Sequence, residues 1–216
     1  MIYLTSDIHN DINHKGLKKY ISTAKSGDLL IILGDVGLNF PEKDNYIEFE
    51  DFFLSQKCNI AFLDGNHENR EYINSFPKES WNGGQVHRLT DSIVHLMRGH
   101  IFDISGSTFF VMGGCKSSQK WWDKGLAYKD DEPSADEIIF GYENLSKYNN
   151  TVDYVLTHNY NEIRVPCDEM NSLGGMLGFL DDNISFKAWY CGHWHINKKV
   201  DDKHFIVYDD LIPLKD

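Results

Sequence analysis

The stretch that decides the fold is residues 60–70, IAFLDGNHENR. Its first four residues are apolar, which is typical of a short buried strand, and the strand then stops at a turn. Gly65 and Asn66 suit a turn because of their backbone geometry. A turn does not require the imidazole of His67 or the carboxylate of Glu68 that follow. These side chains therefore indicate a functional site, provided that the rest of the chain supplies partners for them.

Short apolar runs elsewhere in the chain also end at polar residues. Brief runs bounded by Gly and Asp favour buried strands over helices, and the chain is predicted to have strands at residues 2–5, 28–33, 59–63, 152–157 and 188–191. The polar residues that follow these strands are Asp7, His9, Asp35, Asn66, His67, His158, His193 and His195. Because ligand sites in open α/β sheets lie beyond the carboxyl ends of strands, we expect these side chains to converge at one edge.

Two of these groups have an informative spacing. One residue separates Asp7 from His9, and one residue separates His193 from His195. In extended backbone, residues i and i+2 point to the same side, so each pair is predicted to aim two ligands into one pocket. A single motif of this kind arises often by chance. Five motifs in order, each after a predicted strand, indicate a shared site.

The alternation of strands with helices indicates an α/β fold. Helices are predicted at residues 12–25, 43–57 and 134–148. The third opens with Ser134 and Glu137 at the spacing of a capping box. A hairpin is predicted within residues 93–113, around a Ser-Gly-Ser turn, and further strands are expected at residues 203–214. Residues 115–133 are predicted to be a long loop, which is either a functional lid or an ordered surface excursion.

Composition bounds the class of protein. A chain of 216 residues with 41% hydrophobic content is expected to form one globular domain over residues 1–216. It has no apolar run of about 18 residues and no signal-peptide pattern, and its four cysteines form no CxxC pair. We therefore expect a cytoplasmic protein with no membrane partner. A net charge of −12 counts against a broad nucleic-acid-binding surface but allows a metal site.

The order of the motifs from Asp7 to His195 resembles the calcineurin-like metallophosphoesterase superfamily. The resemblance implies a four-layer αββα sandwich, in which helices flank two mixed β-sheets, with a dinuclear metal site at one edge. It implies that one metal ion is held by Asp7, His9, Asp35 and His195. It implies that the second ion is held by Asp35, Asn66, His158 and His193, so that Asp35 bridges the two. The residue that matches the family's catalytic histidine is His67.

The residue types agree with this implied chemistry. A mixture of imidazole, carboxylate and amide ligands suits two divalent or trivalent ions, with manganese favoured and iron, zinc or nickel as alternatives. Two such ions clamp a phosphoryl group and activate a bridging hydroxide. His67 is expected to protonate the leaving group as a general acid. The expected substrate is a phosphomonoester or phosphodiester, either a small molecule or a phosphorylated partner.

Two other functions stay open at this point. The same fold can serve as a catalytically silent protein-binding scaffold, although the complete ligand set counts against that reading. A nuclease is an alternative but is not favoured, because the chain is acidic and has no basic stripe. The chain also departs from many relatives in lacking a second acidic residue soon after Asp35.

Several other polar residues have more than one interpretation. Glu68 is expected either to orient an imidazole or to be a solvated turn carboxylate. Arg70, Arg98 and Arg164 are candidates for phosphate contacts, but surface ion pairs are the simpler expectation for each of them.

Overall fold

The computed structural model describes residues 1–128, 130–160 and 172–214, so that Arg164 and Cys167 lie outside the described residues. The strands of the first half are β1 (Ile2–Thr5), β2 (Leu29–Leu33), β3 (Asn59–Leu63), β4 (Lys78–Trp81), β5 (Gly84–Arg88), β6 (Ile93–Leu96) and β7 (Ile101–Ile104). Those of the second half are β8 (Ser107–Met112), β9 (Tyr154–Thr157), β10 (Ala188–Cys191), β11 (Lys198–Lys199), β12 (His204–Ile206) and β13 (Ile212–Pro213). The helices are α1 (Lys15–Thr23), α2 (Tyr46–Leu54), α3 (Arg70–Asn74), α4 (Gln119–Asp123), α5 (Ala135–Lys147) and α6 (Ser172–Asn183).

The strands form two mixed sheets. The first has the order β13-β1-β2-β3-β6-β5-β4, and the second has the order β11-β12-β10-β9-β8-β7. In the first sheet β1, β2, β3 and β6 are parallel. In the second, β12, β10, β9 and β8 are parallel. The parallel strands of each sheet therefore bring several carboxyl ends to the same edge.

Three hydrophobic clusters in the described residues separate four layers. The cluster between the sheets joins residues of both, such as Ile31 of the first sheet with Phe109 and Leu156 of the second. A second cluster packs α1 and α2 on the outer face of the first sheet through Leu17 and Phe53. The third packs α5 and α6 on the outer face of the second sheet. The chain thus has the αββα sandwich that its resemblance to the metallophosphoesterase superfamily implied.

Most predicted elements are present with small differences at their ends. The strands predicted at residues 2–5, 59–63 and 188–191 have those bounds, and the hairpin of β7 and β8 turns at Ser105 and Gly106, which both have positive φ. The observed helices α1, α2 and α5 are shorter than the predicted ones by one to three residues at each end. The capping box is confirmed, since Ser134 accepts from the backbone of Glu137 and the Glu137 side chain accepts from Ser134 N.

Several elements were not predicted, among them the helices α3 and α6. The hairpin of β4 and β5 turns at Asn82 and Gly83, both with positive φ. The Asn-Gly pair was the available signal, because it favours a tight turn between strands. The segment 115–133, predicted to be a loop, contains the short helix α4. None of the described helices is both long and apolar enough to cross a membrane.

Candidate metal centre

All eight predicted site residues lie where strands end at one edge of the two sheets. The loops after β1, β2 and β3 of the first sheet, and after β9 and β10 of the second, carry Asp7, His9, Asp35, Asn66, His67, His158, His193 and His195. Residues distant in sequence approach closely there. His158 Nε2 lies 3.3 Å from Asp35 Oδ2, and His195 Nε2 lies 3.4 Å from Asp7 Oδ1. The packing of the sheets therefore unites both halves of the chain in one cluster.

The backbone at the site differs from the extended conformation that the spacing predicted. Asp7, His9, Asp35, His193 and His195 all have positive φ, between 49° and 70°. This left-handed region is uncommon for residues other than glycine and is often found at functional sites. The extended-backbone argument for the two pairs was therefore wrong. Each pair reaches the site from a turn.

Two glycines allow the loops to approach one another. A Cβ atom at Gly65 would overlap Asp35 Oδ1, and one at Gly192 would overlap Ser6 Oγ. In both cases the distance from the added Cβ atom to that oxygen would be far shorter than van der Waals contact. Glycine is required there because any side chain would push neighbouring loops of the site apart.

Asp35 lies buried at the centre of the cluster. Its Oδ1 accepts hydrogen bonds from Asn66 N at 2.8 Å and from His67 N at 2.9 Å. Its Oδ2 faces imidazole nitrogens, with His158 Nε2 at 3.3 Å and His9 Nε2 at 3.5 Å. Burial raises the pKa of Asp35, but His158 and His67 outweigh burial and hold that pKa well below its usual range.

Two buried atoms near Asp35 have no hydrogen-bond partner among the described residues, namely Asn66 Oδ1 and His158 Nε2. His158 Nδ1 donates to the Leu33 carbonyl oxygen at 2.7 Å, which leaves a lone pair on Nε2 of the neutral ring. That lone pair and Asp35 Oδ2 are both acceptors. Buried acceptors of this kind require a proton or a metal ion between them. The donor set therefore fits a bound metal ion.

The electrostatics of the histidines support this fit. Burial opposes a charge on His158, but Asp35 and Asp7 outweigh burial and raise its pKa to about 10. Without a metal ion this positive charge is a proton on Nε2, and a bound metal ion would take the place of that proton at the same lone pair. Burial and the neighbouring His158 lower the pKa of His193 to about 4, so its ring is neutral and can offer a lone pair.

Among the residues that the structure describes, three groups of side chains have ligand atoms within 4.8 Å of one another. The first consists of Asp7, His9 and His195, the second of Asp35, His158 and His193, and the third of His9, Glu42 and His67. The first two groups fall within the two ligand sets that the family resemblance implied. The third contains a residue that the sequence analysis missed.

Glu42 joins two histidines of the site. Its Oε2 lies 3.1 Å from His9 Nδ1 and 2.9 Å from His67 Nδ1. Burial raises the pKa of Glu42, but hydrogen bonds from His67 and His9 outweigh burial and lower that pKa. The sequence has no second acidic residue soon after Asp35, and in the folded protein Glu42 supplies an acidic side chain at the site. Its distance along the chain from Asp35 gave no motif by which to recognise it.

Glu68 has neither of the roles expected from sequence. It is buried, and its carboxylate accepts from Val36 N at 2.6 Å and from Gly65 N at 2.7 Å. It therefore joins the loops after β2 and β3 through their backbones. Burial and the nearby Asp35 raise its pKa well above the usual value.

Arg70 and Arg98 form ion pairs instead of lining the metal cluster. Arg98 Nε donates to Asp64 Oδ2 at 2.8 Å, and Arg70 Nη2 donates to Glu137 Oε1 at 3.1 Å. His95 Nε2 also lies 3.1 Å from Asp64 Oδ1. The expectation of ion pairs is confirmed for both arginines, although the pair of Arg98 and Asp64 is buried and not on the surface.

A cavity of about 390 Å³ opens over the cluster. Its lining includes Asp7, His9, Asp35, Glu42, Lys43, His67, Trp121, His193, His195 and Tyr208. The cavity has room for a phosphate ester beside the carboxylates and imidazoles. His195 forms part of its wall and stacks on Tyr208 with ring centroids 5.0 Å apart.

Comparisons with known proteins identify the family of the chain. A sequence model of the calcineurin-like phosphoesterase family matches residues 1–197. No curated protein sequence matches the chain. Among solved structures, the chain is similar to the Thermus thermophilus sulfate thiohydrolase SoxB in complex with glycerol, with 11% sequence identity and a TM-score of 0.45. The alignment covers 97% of this chain but 51% of SoxB, so the chain spans about half the length of that protein. The chain belongs to the calcineurin-like phosphoesterase family.

Proposed function

We propose that the protein is a metal-dependent phosphoesterase that hydrolyses a phosphomonoester or phosphodiester. The observation that carries the proposal is the pair of buried acceptors, Asn66 Oδ1 and His158 Nε2, beside the carboxylate of Asp35. Acceptors without donors are costly in a folded protein unless a ligand satisfies them. A scaffold protein would have no need of them.

In this proposal the residues hold two metal ions, of which manganese is the favoured choice. One ion would be held by Asp7, His9, Asp35 and His195, and the other by Asp35, Asn66, His158 and His193. When bound, the ions would neutralise phosphoryl charge and supply an activated water molecule as the nucleophile. The left-handed turns fix the carboxylates and imidazoles before substrate arrives, which lowers the cost of organising the site.

His67 is the proposed general acid. Its Nδ1 lies 2.9 Å from the Glu42 carboxylate, which leaves Nε2 as the ring nitrogen for the substrate. Burial lowers the pKa of His67, but Asp35 and Glu42 outweigh burial and raise that pKa. A raised pKa keeps the ring protonated near neutral pH, as protonation of a leaving oxygen requires.

The experiment that tests this function is hydrolysis of p-nitrophenyl phosphate beside bis(p-nitrophenyl) phosphate. Each assay is run with manganese and again after chelation. We expect manganese-dependent turnover, and the preferred ester separates a phosphatase from a phosphodiesterase. If folded protein with two bound metal ions hydrolyses neither ester nor any wider panel of phosphate esters, the scaffold function is favoured instead.

His67→Ala is the matched variant for the acid role. We expect it to lower turnover by about 100- to 10,000-fold, the usual contribution of a general acid, while bound metal is unchanged. His100→Ala is the control, because His100 lines a separate cavity. Undiminished turnover in His67→Ala would contradict the acid role.

A further inference from the structure

The side-chain amide of Asn66 contacts the segment that follows β8. Asn66 Nδ2 donates to Ser117 Oγ at 3.3 Å, and Asn66 Oδ1 has no hydrogen-bond partner among the described residues. Ser117 Oγ lies in turn 2.6 Å from Asp131 Oδ2. All three residues are buried, with 2 to 4% of their surface exposed. A buried polar chain therefore joins the Asn66 amide to a carboxylate that is not among the candidate metal ligands.

The hydrogen bonds of this chain have one direction. An ionised carboxylate only accepts hydrogen bonds. Burial raises the pKa of Asp131 to about 6, so the group is ionised at pH 7.5. Ser117 therefore donates its one hydroxyl hydrogen to Asp131 and accepts from Asn66. The NH₂ end of the Asn66 amide must face Ser117, which leaves the oxygen end for a metal ion, the end through which asparagine binds metals.

The backbone around Asp131 holds this carboxylate in place. Its Oδ2 also accepts from Tyr128 N at 3.0 Å. Its carbonyl oxygen accepts from Cys115 N at 3.0 Å and from Arg98 Nη2 at 3.0 Å. Arg98 is itself bound to the carboxylate of Asp64, at the end of β3. The acceptor for the Ser117 hydroxyl group therefore has a fixed position beside the metal cluster.

We propose that Ser117 and Asp131 are positioning residues, which orient the Asn66 amide so that its oxygen is presented to the second metal ion. The two ends of an amide are nearly alike in shape, so packing alone does not distinguish them. Hydrogen-bond partners of metal ligands supply such orientation. The inference rests on the proposed function, because that function makes Asn66 a ligand.

The test is calorimetric titration of metal-free protein with Mn²⁺ at pH 7.5, which does not depend on turnover. We expect the wild type to bind two ions and Ser117→Ala to bind one of them about tenfold more weakly, as for loss of a hydrogen-bond partner of a metal ligand. Ser118→Ala is the matched control and keeps the wild-type affinity, because this neighbouring serine is exposed and its side chain caps no helix amide. Urea denaturation checks that each variant is folded.

A second background separates orientation from packing. Asn66→Asp replaces the amide with a carboxylate, whose two oxygens are equivalent as ligands and need no orientation. In this background we expect Ser117→Ala to leave the affinity for manganese unchanged or higher, because the Ser117 oxygen then faces another acceptor. A serine that acted only through packing would weaken binding equally in both backgrounds.

The outcomes distinguish this inference from the proposed function. The positioning role is overturned if Ser117→Ala binds both ions as tightly as the wild type, or if its loss of affinity is the same in both backgrounds. If Ser117→Ala weakens one ion only in the Asn66 background, but the wild type hydrolyses no phosphate ester, the positioning role stands and the proposed function fails. A wild type that binds fewer than two ions would overturn both.

Discussion

Two buried aspartates at the ends of neighbouring strands have opposite surroundings. Asp35 follows β2, and Asp64 follows β3. Asp64 accepts from the guanidinium of Arg98 and lies 3.1 Å from His95 Nε2. Asp35 has backbone amides on one oxygen and, on the other, imidazole nitrogens at 3.3 and 3.5 Å. One carboxylate has a permanent cation of the protein beside it, and the other has titratable rings.

The difference in partners separates a structural charge, which only stabilises the fold, from a charge that is suited to bind a metal ion. An arginine stays protonated at every physiological pH, so the pair of Asp64 and Arg98 needs nothing from outside the chain. Imidazoles exchange a proton for a metal ion, because their neutral form is a ligand. A buried carboxylate surrounded by histidines and unpartnered acceptors is therefore a candidate metal ligand. A buried carboxylate held by arginine is not.

The largest predicted effect concerns Asp35. We expect Asp35→Asn to lose bound metal and to lower turnover by more than about 100-fold, since even outer partners of metal ligands contribute about 10- to 100-fold. Metal content by elemental analysis and turnover of the preferred nitrophenyl ester are the measurements. Asp64→Asn is the matched control and is expected to keep its metal. Equal metal loss in the two variants would remove the distinction between the two aspartates.

The next effect concerns the stability contributed by the Asp64 network. Asp64→Asn removes the buried carboxylate beside Arg98, whose other ion pair, with Glu137, is longer at 3.4 Å, and breaking a buried pair lowers the free energy of unfolding by about 3–5 kcal/mol. Urea denaturation measures the loss. The control is Glu79→Gln, which breaks the more exposed pair with Arg88 and is expected to cost about 1 kcal/mol or less. A loss in Asp64→Asn as small as in the control would show that Asp64 is not a structural charge.

A smaller effect is expected at Glu42, which links the metal cluster to His67. Its negative charge helps to raise the pKa of His67. Glu42→Gln therefore lowers that pKa, and activity that requires protonated His67 is lost at lower pH than in the wild type. The measurement is the pH dependence of kcat/KM, in which the basic limb moves toward acid. Glu48→Gln, at an exposed position of α2, is the control. A basic limb that stays in place in Glu42→Gln would contradict the link.

The smallest effect lies far from both aspartates in the chain, at the start of α5. Ser134→Ala removes the side chain that caps the Glu137 amide, and loss of such a cap lowers the free energy of unfolding by about 1 kcal/mol. Ser146→Ala, at an exposed position of the same helix, is the control. The measurement is again urea denaturation, with turnover unchanged. No loss of stability in Ser134→Ala would show that Glu137 caps the helix sufficiently by itself.

Local patterns in the sequence were sufficient for much of the fold. Apolar runs ending at polar turn residues predicted three strands with the observed bounds, because a buried strand needs only a short apolar segment and a turn to end it. The capping box of α5 was also visible, since Ser134 and Glu137 interact across one helical turn. The hairpin of β4 and β5 was missed despite its Asn82-Gly83 turn, because its strands carry few apolar residues.

The sequence by itself determined which residue types were available at the strand ends, and the motif order from Asp7 to His195 was enough to indicate the family. Tertiary structure alone decided how those residues meet. The left-handed turns at Asp7 and His193, the partnership of Glu42 with His67, and the ion pairs of Asp64 depend on loops from different strands packing together. Contacts between residues far apart in the chain leave no local pattern, because their geometry is fixed by the packing of the two sheets and not by spacing.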